Sequence, residues 1–401
     1  MPDPELTLQL QASEPSFFTE ASIPVGHMVV NLGPQHPSTH GVLRLEVLTD
    51  GEYVRKVVPH IGYLHRCFEK HAEALPFNQI IPFVDRLDYL SSINSEHIFC
   101  SALEDMMGIT GTLHPRTEYI RVLCAELNRL ASHFVALGTY GLDIGAFTPF
   151  LWLMREREHI QRLLEWATGA RMLYNYIWVG GLYYDLPIGF EAQVQKFAGN
   201  LEKTLNEVKD ILLLNSIFIA RTANVGVLPL DVAIGYGATG SVLRASGLAL
   251  DLRKTTPFSI YPQLDFAVPI GEGAMGTTGD TWDRNWVRLM ECYQSLGMVQ
   301  QCAKALLGDH KRTPAYNPQE HCPKKIRPEQ MEYYFQGESP RGQLGFFIQT
   351  DGKRDIPLRC KVRSPAFSNL SLLPAIAEGT LLADVIAILG SLDMVMGEID
   401  R

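Results

Sequence analysis

Two histidines four residues apart, His36 and His40, are the first pattern in the sequence that could carry chemistry. They lie in a polar loop whose backbone is constrained by Pro37 and Gly41. One interpretation is a turn in which the imidazoles satisfy backbone groups. Metal binding is disfavoured, because no cysteine or acid lies close enough in the sequence to complete a tetrahedral site. The functional interpretation is a histidine that donates a proton or a hydrogen bond near neutral pH.

Three further motifs have both a structural and a functional interpretation. The alternating charges of residues 85–89 (DRLDY) are typical of a solvated helix start with one buried aromatic ring, Tyr89. Asp143 follows a long helical pattern and would most often cap the next helix, but a buried aspartate could instead orient a histidine. Residues 237–241 (GATGS) resemble a phosphate loop only loosely, because the Gly-Lys-Ser/Thr ending is missing.

The composition excludes several classes of protein. Lys and Arg number 35 against 44 Asp and Glu, and the resulting net charge of −9 disfavours a nucleic-acid binder. Seven cysteines in 401 residues are too few for a disulfide scaffold. No two of them form a C-x-x-C pair, which argues against a self-contained iron–sulfur cluster, a structural zinc ribbon or a thioredoxin-type site.

Hydrophobic periodicity predicts the elements that must position these residues. An Asp50-Gly51 turn between apolar runs predicts a hairpin. Apolar residues at steps of three and four predict a helix that begins at Pro115 and stops at Gly138. The predicted strands cover residues 28–32, 42–48, 53–58, 344–349 and 357–362, and the other long helices cover 149–176, 190–214 and 283–307. The fold class is therefore α+β, mainly α, with a central long-helix bundle and small β-hairpin regions near both termini.

Five segments follow from this pattern. They are an N-terminal arm (1–26), a β region with the histidine loop (27–62), a helical bundle (63–310), a polar surface excursion (311–343) and a C-terminal β-hairpin with a terminal helix or turn (344–401). The acidic N-terminus lacks the basic start of a signal peptide. The apolar run from Leu370 to Met396 contains three acids, so it predicts buried helix and turn and not a membrane span.

The motifs together resemble one family over most of the chain. The similar strings are residues 31–45 (NLGPQHPSTHGVLRL), 59–66 (PHIGYLHR), 85–89 (DRLDY), 143–149 (DIGAFTP), 180–181 (GG), 185–187 (DLP), 243–247 (LRASG), 251–254 (DLRK), 268–271 (VPIG), 383–385 (ADV) and 397–401 (GEIDR). With them the chain resembles the D subunit of respiratory complex I, the proton-pumping NADH:quinone oxidoreductase. That family is related to the large subunit of [NiFe] hydrogenases. Only residues 1–26 and 308–343 fall outside the resemblance.

The resemblance implies a site for a quinone head. His40 and Tyr89 would hydrogen bond to the two quinone carbonyls and donate protons, while Asp143 would pair with His40. His36 and Thr139 would line the same cavity. Reduction of a quinone takes two electrons and two protons, and imidazole and phenol groups can both donate hydrogen bonds at neutral pH. The chain itself would bind no cofactor, and the quinone would be its substrate.

The resemblance also explains the scattered cysteines. A [NiFe] hydrogenase holds its metals with two C-x-x-C pairs, which would fall here near Asp88 and Ser91 and near Val395 and Glu398. Carboxylate, hydroxyl and valine cannot replace bridging thiolates on soft metals. The resemblance therefore implies a vacated metal cavity that receives the quinone.

Electron entry and assembly follow from the same resemblance. Arg66 and Arg86 match positions near the terminal [4Fe–4S] cluster, which the neighbouring B subunit holds and where a guanidinium would favour the reduced cluster. The expected partners are the B, C and I subunits and the H subunit in the membrane. The expected location is peripheral, on the cytoplasmic face of the bacterial inner membrane, with quinone reduction coupled to proton pumping.

The chain departs from the family pattern at two places near the expected cluster. Cys67 stands where glycine is common, and Leu173 stands where many relatives have a histidine. Leucine cannot couple cluster reduction to protonation as an imidazole can. Together with Trp178-Val179, where an Arg-Pro pair is often found, this departure favours menaquinone over ubiquinone.

Three other interpretations stay open from the sequence. The chain could be the large subunit of a membrane-bound hydrogenase, which bound nickel would reveal. It could belong to a quinone oxidoreductase that receives electrons from ferredoxin or a reduced deazaflavin, since no NADH site is evident in this chain. It could also be an assembly scaffold without an active site, although the presence of His40, Tyr89 and Asp143 together argues against this.

Overall fold

The computed structural model describes residues 16–19 and 23–401, which are mainly α-helical (about 48%) with small antiparallel sheets. This confirms the predicted fold class. The first strands are β1 (His27–Leu32), β2 (Arg44–Asp50) and β3 (Tyr53–His60). Helices and a short hairpin follow: α1 (Phe68–Ala72), α2 (Phe77–Val84), α3 (Ser92–Met106), α4 (Pro115–Asp143), α5 (Phe147–Thr168), β4 (Ile177–Trp178), β5 (Gly181–Leu182), α6 (Phe190–Val208), α7 (Ser216–Thr222), α8 (Leu230–Gly235), α9 (Gly240–Ala245), α10 (Leu252–Thr255) and α11 (Thr281–Leu307). The chain continues with β6 (Glu332–Ser339), β7 (Gly342–Gln349), β8 (Arg359–Arg363), α12 (Pro365–Leu370), α13 (Leu373–Ala377), α14 (Leu382–Ser391) and α15 (Met396–Asp400).

The N-terminal sheet has the order β1-β2-β3, with both pairs antiparallel, and includes the predicted Asp50-Gly51 hairpin. Its central strand β2 is buried along nearly its whole length, and Leu45 and Val47 pack in an apolar cluster that also contains Leu373 and Ile376 of α13. Most of the predicted N-terminal arm lies outside the described residues. Where it is described, the backbone N–H of Phe17 donates to Glu46 on β2 at 2.8 Å, and the Phe17 ring lies under the Lys56 ammonium.

Four long helices form the predicted bundle, in which α4 packs on α5 and α11, and α6 packs on α5 and α11. The predicted end of α4 at Gly138 is wrong, since the helix continues to Asp143. Gly138 does not end the helix but allows α5 to pack closely against it, because a Cβ atom there would lie 3.3 Å from the Phe150 ring on α5. The prediction for α5 was also wrong at its end. Gly169 in the left-handed conformation terminates this helix well before residue 176.

A second antiparallel sheet has the order β6-β7-β8. Strand β6 was not expected, because it lies inside the segment predicted to be a surface excursion (311–343). The outer half of β6 (EYYF) alternates exposed and half-buried residues and carries three aromatic rings that favour a strand, a local signal that the prediction of a surface excursion passed over, while its inner end from Gly337 to Ser339 is buried. The division into five segments stays a prediction.

The turn between β6 and β7 reaches deep into the molecule through two glycines. Gly240 has φ +70°, and a Cβ atom there would lie 2.3 Å from the carbonyl oxygen of Arg341. Gly342 has φ +129°, and its Cβ would lie 2.6 Å from the Gly240 nitrogen. The motif at residues 237–241 therefore has a structural role, because its glycine allows two backbone segments to pass each other.

The apolar run from Leu370 to Met396 contains the short helices α13 and α14, which turns separate and follow. Within the described ranges, no helix is both long and apolar enough to cross a membrane.

The two backbone contacts of Gly240 predict a large loss of stability when a side chain is added. We expect Gly240→Ala to lower the free energy of unfolding by at least ~2 kcal/mol, because it adds positive-φ strain to a steric clash. Gly199 on the exposed face of α6 is the matched control, since a Cβ there would meet nothing within 4 Å. Gly199→Ala should stabilise the helix by roughly 0.5–1 kcal/mol. The thermal unfolding midpoint measures both changes, and equal midpoints for the two variants would contradict the prediction.

Candidate functional site

The loop after β1 gives its two histidines different roles. Residues Pro37–Thr39 form a single 3₁₀ turn, and His36 Nδ1 accepts a hydrogen bond from the Ser38 backbone at its start. The Thr39 hydroxyl donates to the His36 carbonyl at 2.8 Å, which fixes the turn from the other side. His40 follows with φ 50°, in the left-handed region. His36 thus stabilises the turn, and the turn presents His40.

His40 reaches across the molecule to the end of α4. Its Nε2 atom lies 2.7 Å from Asp143 Oδ2, and the Asp143 side chain is only 8% exposed. Asp143 does not cap the following helix, because Ala146 is the residue at that N-terminus. Of the two interpretations of Asp143, the structure supports the one in which it orients a histidine. Thr139 lies one helical turn earlier, and its hydroxyl donates to the Val135 carbonyl at 2.7 Å.

Helix α14 covers the His40–Asp143 pair through a glycine. A Cβ atom at Gly390 would lie 3.1 Å from Asp143 Oδ2 and 2.9 Å from the ring of Tyr140. The Tyr140 hydroxyl is buried and has no hydrogen-bond partner among the described residues. The close approach of α14 shields the carboxylate from water, and shielding strengthens the interaction of Asp143 with His40.

The segment between α2 and α3 differs from its prediction as a solvated helix start. Asp85 and Asp88 are both buried, while Tyr89 is half-buried. Burial raises the pKa of Asp85 to about 6, and its carboxylate accepts a hydrogen bond from the Asn175 backbone N–H at 3.0 Å. Burial also raises the pKa of the Tyr89 phenol. The prediction failed because the charges in this segment have partners far away in the chain.

Arg341, from the β6–β7 turn, is the main partner of Asp88. Its guanidinium donates to Asp88 Oδ2 at 2.9 Å and to the Ser132 hydroxyl of α4 at 2.7 Å. A second nitrogen donates to Asp393 Oδ1 at 3.2 Å. All three charged side chains are buried. One arginine therefore joins α4, the segment before Tyr89 and the segment after α14.

This ion-pair cluster connects the electrostatics of His40 and Tyr89. Burial opposes ionisation of Asp393, but the positive charges of Arg341 and Arg288 hold its pKa below the ordinary range, with smaller contributions from the imidazoles of His133 and His40. The same Asp393 carboxylate contributes to the raised pKa of Tyr89. Asp393 is thus within electrostatic reach of both candidate proton donors.

The four positions at which a hydrogenase-like chain would carry cysteines are all buried here: Asp88, Ser91, Val395 and Glu398. Burial and the charge of Asp88 raise the pKa of Glu398 to about 8. The structure thus brings the N-terminal pair (Asp88 and Ser91) and the C-terminal pair (Val395 and Glu398) together. Carboxylates and a hydroxyl are poor ligands for soft metals, and the Arg341 guanidinium already pairs with Asp88. Across residues 16–19 and 23–401, no group of three or more histidine, cysteine or acidic side chains could hold a metal ion. These residues do not fit a nickel–iron centre.

Arg66 and Arg86 are brought together at the surface. Arg66 Nη2 donates to the Arg86 carbonyl at 2.7 Å, and both side chains are exposed. The chain segment around Gly397 packs on them, since a Cβ there would lie 3.0 Å from the same carbonyl. The neighbouring Cys67 is exposed and has φ 57°, so its position favours glycine and packing does not explain its thiol.

Two residues of this site, Arg341 and Asp393, were missed by the sequence analysis. Arg341 lies in the segment predicted to be a surface excursion, and Asp393 lies in an apolar run predicted to be buried helix and turn. The available signals were an Arg between Pro340 and Gly342, which is typical of a tight turn, and an acid among buried apolar residues.

Comparisons with known proteins agree with this architecture. The family model for the 49 kDa subunit of respiratory-chain NADH dehydrogenase matches residues 143–401. The chain is 61% identical to a D subunit of the NADH-quinone oxidoreductase of Cytophaga hutchinsonii over 392 residues, which cover 98% of this chain and 100% of the relative. It is 59% identical to the D subunit of Amoebophilus asiaticus over 387 residues (96% of each chain) and 49% identical to that of Chlorobaculum tepidum over 382 residues (95% and 94%).

These matches define a component of a respiratory oxidoreductase complex. The chain belongs to the family of the 49 kDa subunit, that is, to the D subunits of NADH-quinone oxidoreductase (complex I), as its motifs predicted. Its partners are accordingly other subunits of that complex. The roles of individual residues are a separate question, because a family match does not test them.

The buried Glu398 predicts a pH-dependent local stability. Its pKa of about 8 in the folded chain lies above the ordinary 4.5, so the folded state binds more protons than the unfolded state between these pH values. Stability from this group is therefore present at low pH and is lost as the pH rises towards 8. Glu398→Gln removes the ionisable group and with it this loss of stability. The variant should therefore gain local stability over the wild type as the pH rises from about 5 to 8.5.

Hydrogen exchange of the peptide covering residues 393–401, followed by mass spectrometry on the purified complex, measures this difference. Exposed Glu378 is the matched control, and Glu378→Gln should show no pH-dependent difference from the wild type. A difference between Glu398→Gln and wild type that stays constant with pH would refute the assignment.

Proposed function

We propose that the chain forms the quinone-head site of its complex and that His40 and Tyr89 donate the two protons of quinone reduction. The observation that carries the proposal is the contact of His40 with buried Asp143 at 2.7 Å, on a turn built to present His40. An imidazole that hydrogen bonds to a carboxylate through Nε2 keeps Nδ1 for a second partner. Asp143 fixes the ring orientation, and Nδ1–H of the doubly protonated ring would face a quinone carbonyl. After this proton is transferred, a neutral imidazole remains, whose Nε2–H still donates to Asp143.

Tyr89 supports the proposal from the other side of the cluster. No described residue accepts a hydrogen bond from its hydroxyl group, so that donor is available to a ligand. When the phenol gives its proton to the second carbonyl oxygen, a phenolate remains in a half-buried place. The positive charges of Arg341 and Arg66 favour that phenolate. His36 and Thr139, which lie beside His40 and Asp143 in the chain, would line the cavity.

Electrons would enter beside the exposed Arg66–Arg86 pair. We assign the donor to the terminal [4Fe–4S] cluster of the neighbouring B subunit, because two guanidinium groups stabilise the added negative charge of a reduced cluster. The chain would hold no cofactor of its own. The C and I subunits and the H subunit in the membrane would complete the surroundings, with the chain peripheral on the cytoplasmic face of the inner membrane. Quinone reduction would drive proton translocation by the complex, with NADH as the electron source.

Replacement of either proton donor tests the proposal. His40→Ala and Tyr89→Phe should each lower the rate of quinone reduction by about 10²-fold or more, because each removes a positioned proton donor. Electron transfer to a water-soluble artificial acceptor that takes electrons before the quinone site should be unchanged. Matched controls are exposed His321→Ala and Tyr236→Phe, which should leave both rates unchanged. If quinone reduction by both donor variants equalled the wild type, the chain would be a scaffold.

We also propose menaquinone as the quinone, on the basis of Leu173. This residue follows α5 and is half-buried, and the adjacent Met172 carbonyl is held by the Ser92 hydroxyl at 2.6 Å. Leu173→His should make the potential of the terminal cluster depend more steeply on pH, because an imidazole at this position takes up a proton on reduction. A redox titration across pH measures the slope, and the quinone extracted with the purified complex identifies the substrate. A steep slope in the wild type, or ubiquinone in the extract, would contradict the proposal.

A further inference from the structure

We infer that Arg341 is a positioning residue for the Tyr89 proton transfer, with a buried positive charge that stabilises the phenolate. The inference rests on the proposed role of Tyr89 and names a residue to which no role is otherwise assigned. A simpler role for Arg341 is that of an ion pair that only ties Asp88 to Asp393. The two roles predict different responses when the Tyr89 phenol is made more acidic, and the second experiment below measures that response.

The backbone of Arg341 is held so that its side chain has little freedom. Its carbonyl oxygen packs against Gly240 and accepts a hydrogen bond from the Asn369 side-chain amide at 3.3 Å. The guanidinium then donates to Ser132, Asp88 and Asp393, and the side chain is fully buried. A charge fixed in this way before the reaction requires no reorganisation when the phenolate forms.

Arg341 pairs with Asp88, the residue before Tyr89, at 2.9 Å, which places its buried guanidinium beside the segment that carries the phenol. Four charged groups act on Tyr89, and they differ in their exposure. Arg341 and Arg66 favour the phenolate, while Asp88 and Asp393 oppose it. Arg66 is exposed, so water and salt screen its charge. Arg341, Asp88 and Asp393 are buried and interact through a medium of lower dielectric. Among the positive charges that act on Tyr89, Arg341 is therefore the one that can offset the new negative charge without screening.

The proposed step balances in atoms and charge. The O–H bond of Tyr89 breaks, and its proton forms a new O–H bond at one quinone carbonyl oxygen. The electrons come from the reduced iron–sulfur cluster of the proposed function, one at a time. Tyr89 is left as a phenolate beside Arg341 until a proton from water restores the phenol. Arg341 is neither oxidised nor deprotonated in this sequence.

Charge removal at position 341 gives the first test. In the assembled complex, Arg341→Gln should lower kcat for quinone reduction by about 10²-fold, similar to the loss of one fixed stabilising donor, and should leave KM nearly unchanged. Arg341→Lys keeps a positive charge and should retain most of kcat. Exposed Arg354→Gln is the matched control and should behave as the wild type. A wild-type kcat for Arg341→Gln would overturn the inference.

Replacement of Tyr89 by 2,3,5-trifluorotyrosine in the Arg341→Gln complex gives the second and sharper test. This phenol is more acidic, so it needs less help from a neighbouring charge and should restore about tenfold in kcat. An ion pair with only a structural role would show no such rescue, and absence of rescue overturns the inference. If Arg341→Gln does not assemble, the same rescue is measured in the double variant Arg341→Gln/Asp393→Asn, in which one buried acid is neutralised together with the guanidinium. Full activity of Tyr89→Phe would instead refute the proposed function, which keeps the two failures distinct.

Discussion

The bridge from Asp88 through Arg341 to Asp393 is the interaction on which the rest of the site depends. A buried charge without a partner costs several kcal/mol, whereas a paired and hydrogen-bonded charge is tolerated. Each of the three side chains is buried and comes from a different part of the chain. The segment before Tyr89, the β6–β7 turn and the segment after α14 must therefore adopt their positions together. Packing of the apolar core alone would not fix this register.

Pairing with a distant residue also explains why the two histidines of one loop have different roles. His36 uses a local partner, the Ser38 backbone, and thereby shapes the turn. His40 is turned outward from the loop and meets Asp143, which lies 103 residues further along the chain. Glycine at position 390 lets α14 close over the carboxylate. The local turn and the distant helices thus both contribute to the placement of one imidazole.

The sequence predicted most of the fold and only part of the site, for a physical reason. Hairpins and long helices follow from local periodicity, so the N-terminal sheet and all four bundle helices were found. Gly138 was misread, since a glycine that lets Phe150 approach looks the same in sequence as one that ends a helix. Arg341 and Asp393 were missed because an ion pair between distant residues leaves no periodic trace. The residue pattern picked out His40, Tyr89 and Asp143 as candidates but left each with a structural alternative, and their proposed roles came from the family resemblance.

The long-range character of the bridge has a consequence for biosynthesis. Asp88 leaves the ribosome long before Arg341, and Arg341 before Asp393, so the early helices cannot bury their acid with its final partners during most of synthesis. Closure of such long loops is slow compared with local helix formation. The helices of the bundle can form co-translationally, whereas the charge cluster must wait for residue 393. A nascent chain should therefore expose the segment around Asp88 to protease until residue 393 has been synthesised and has left the ribosome.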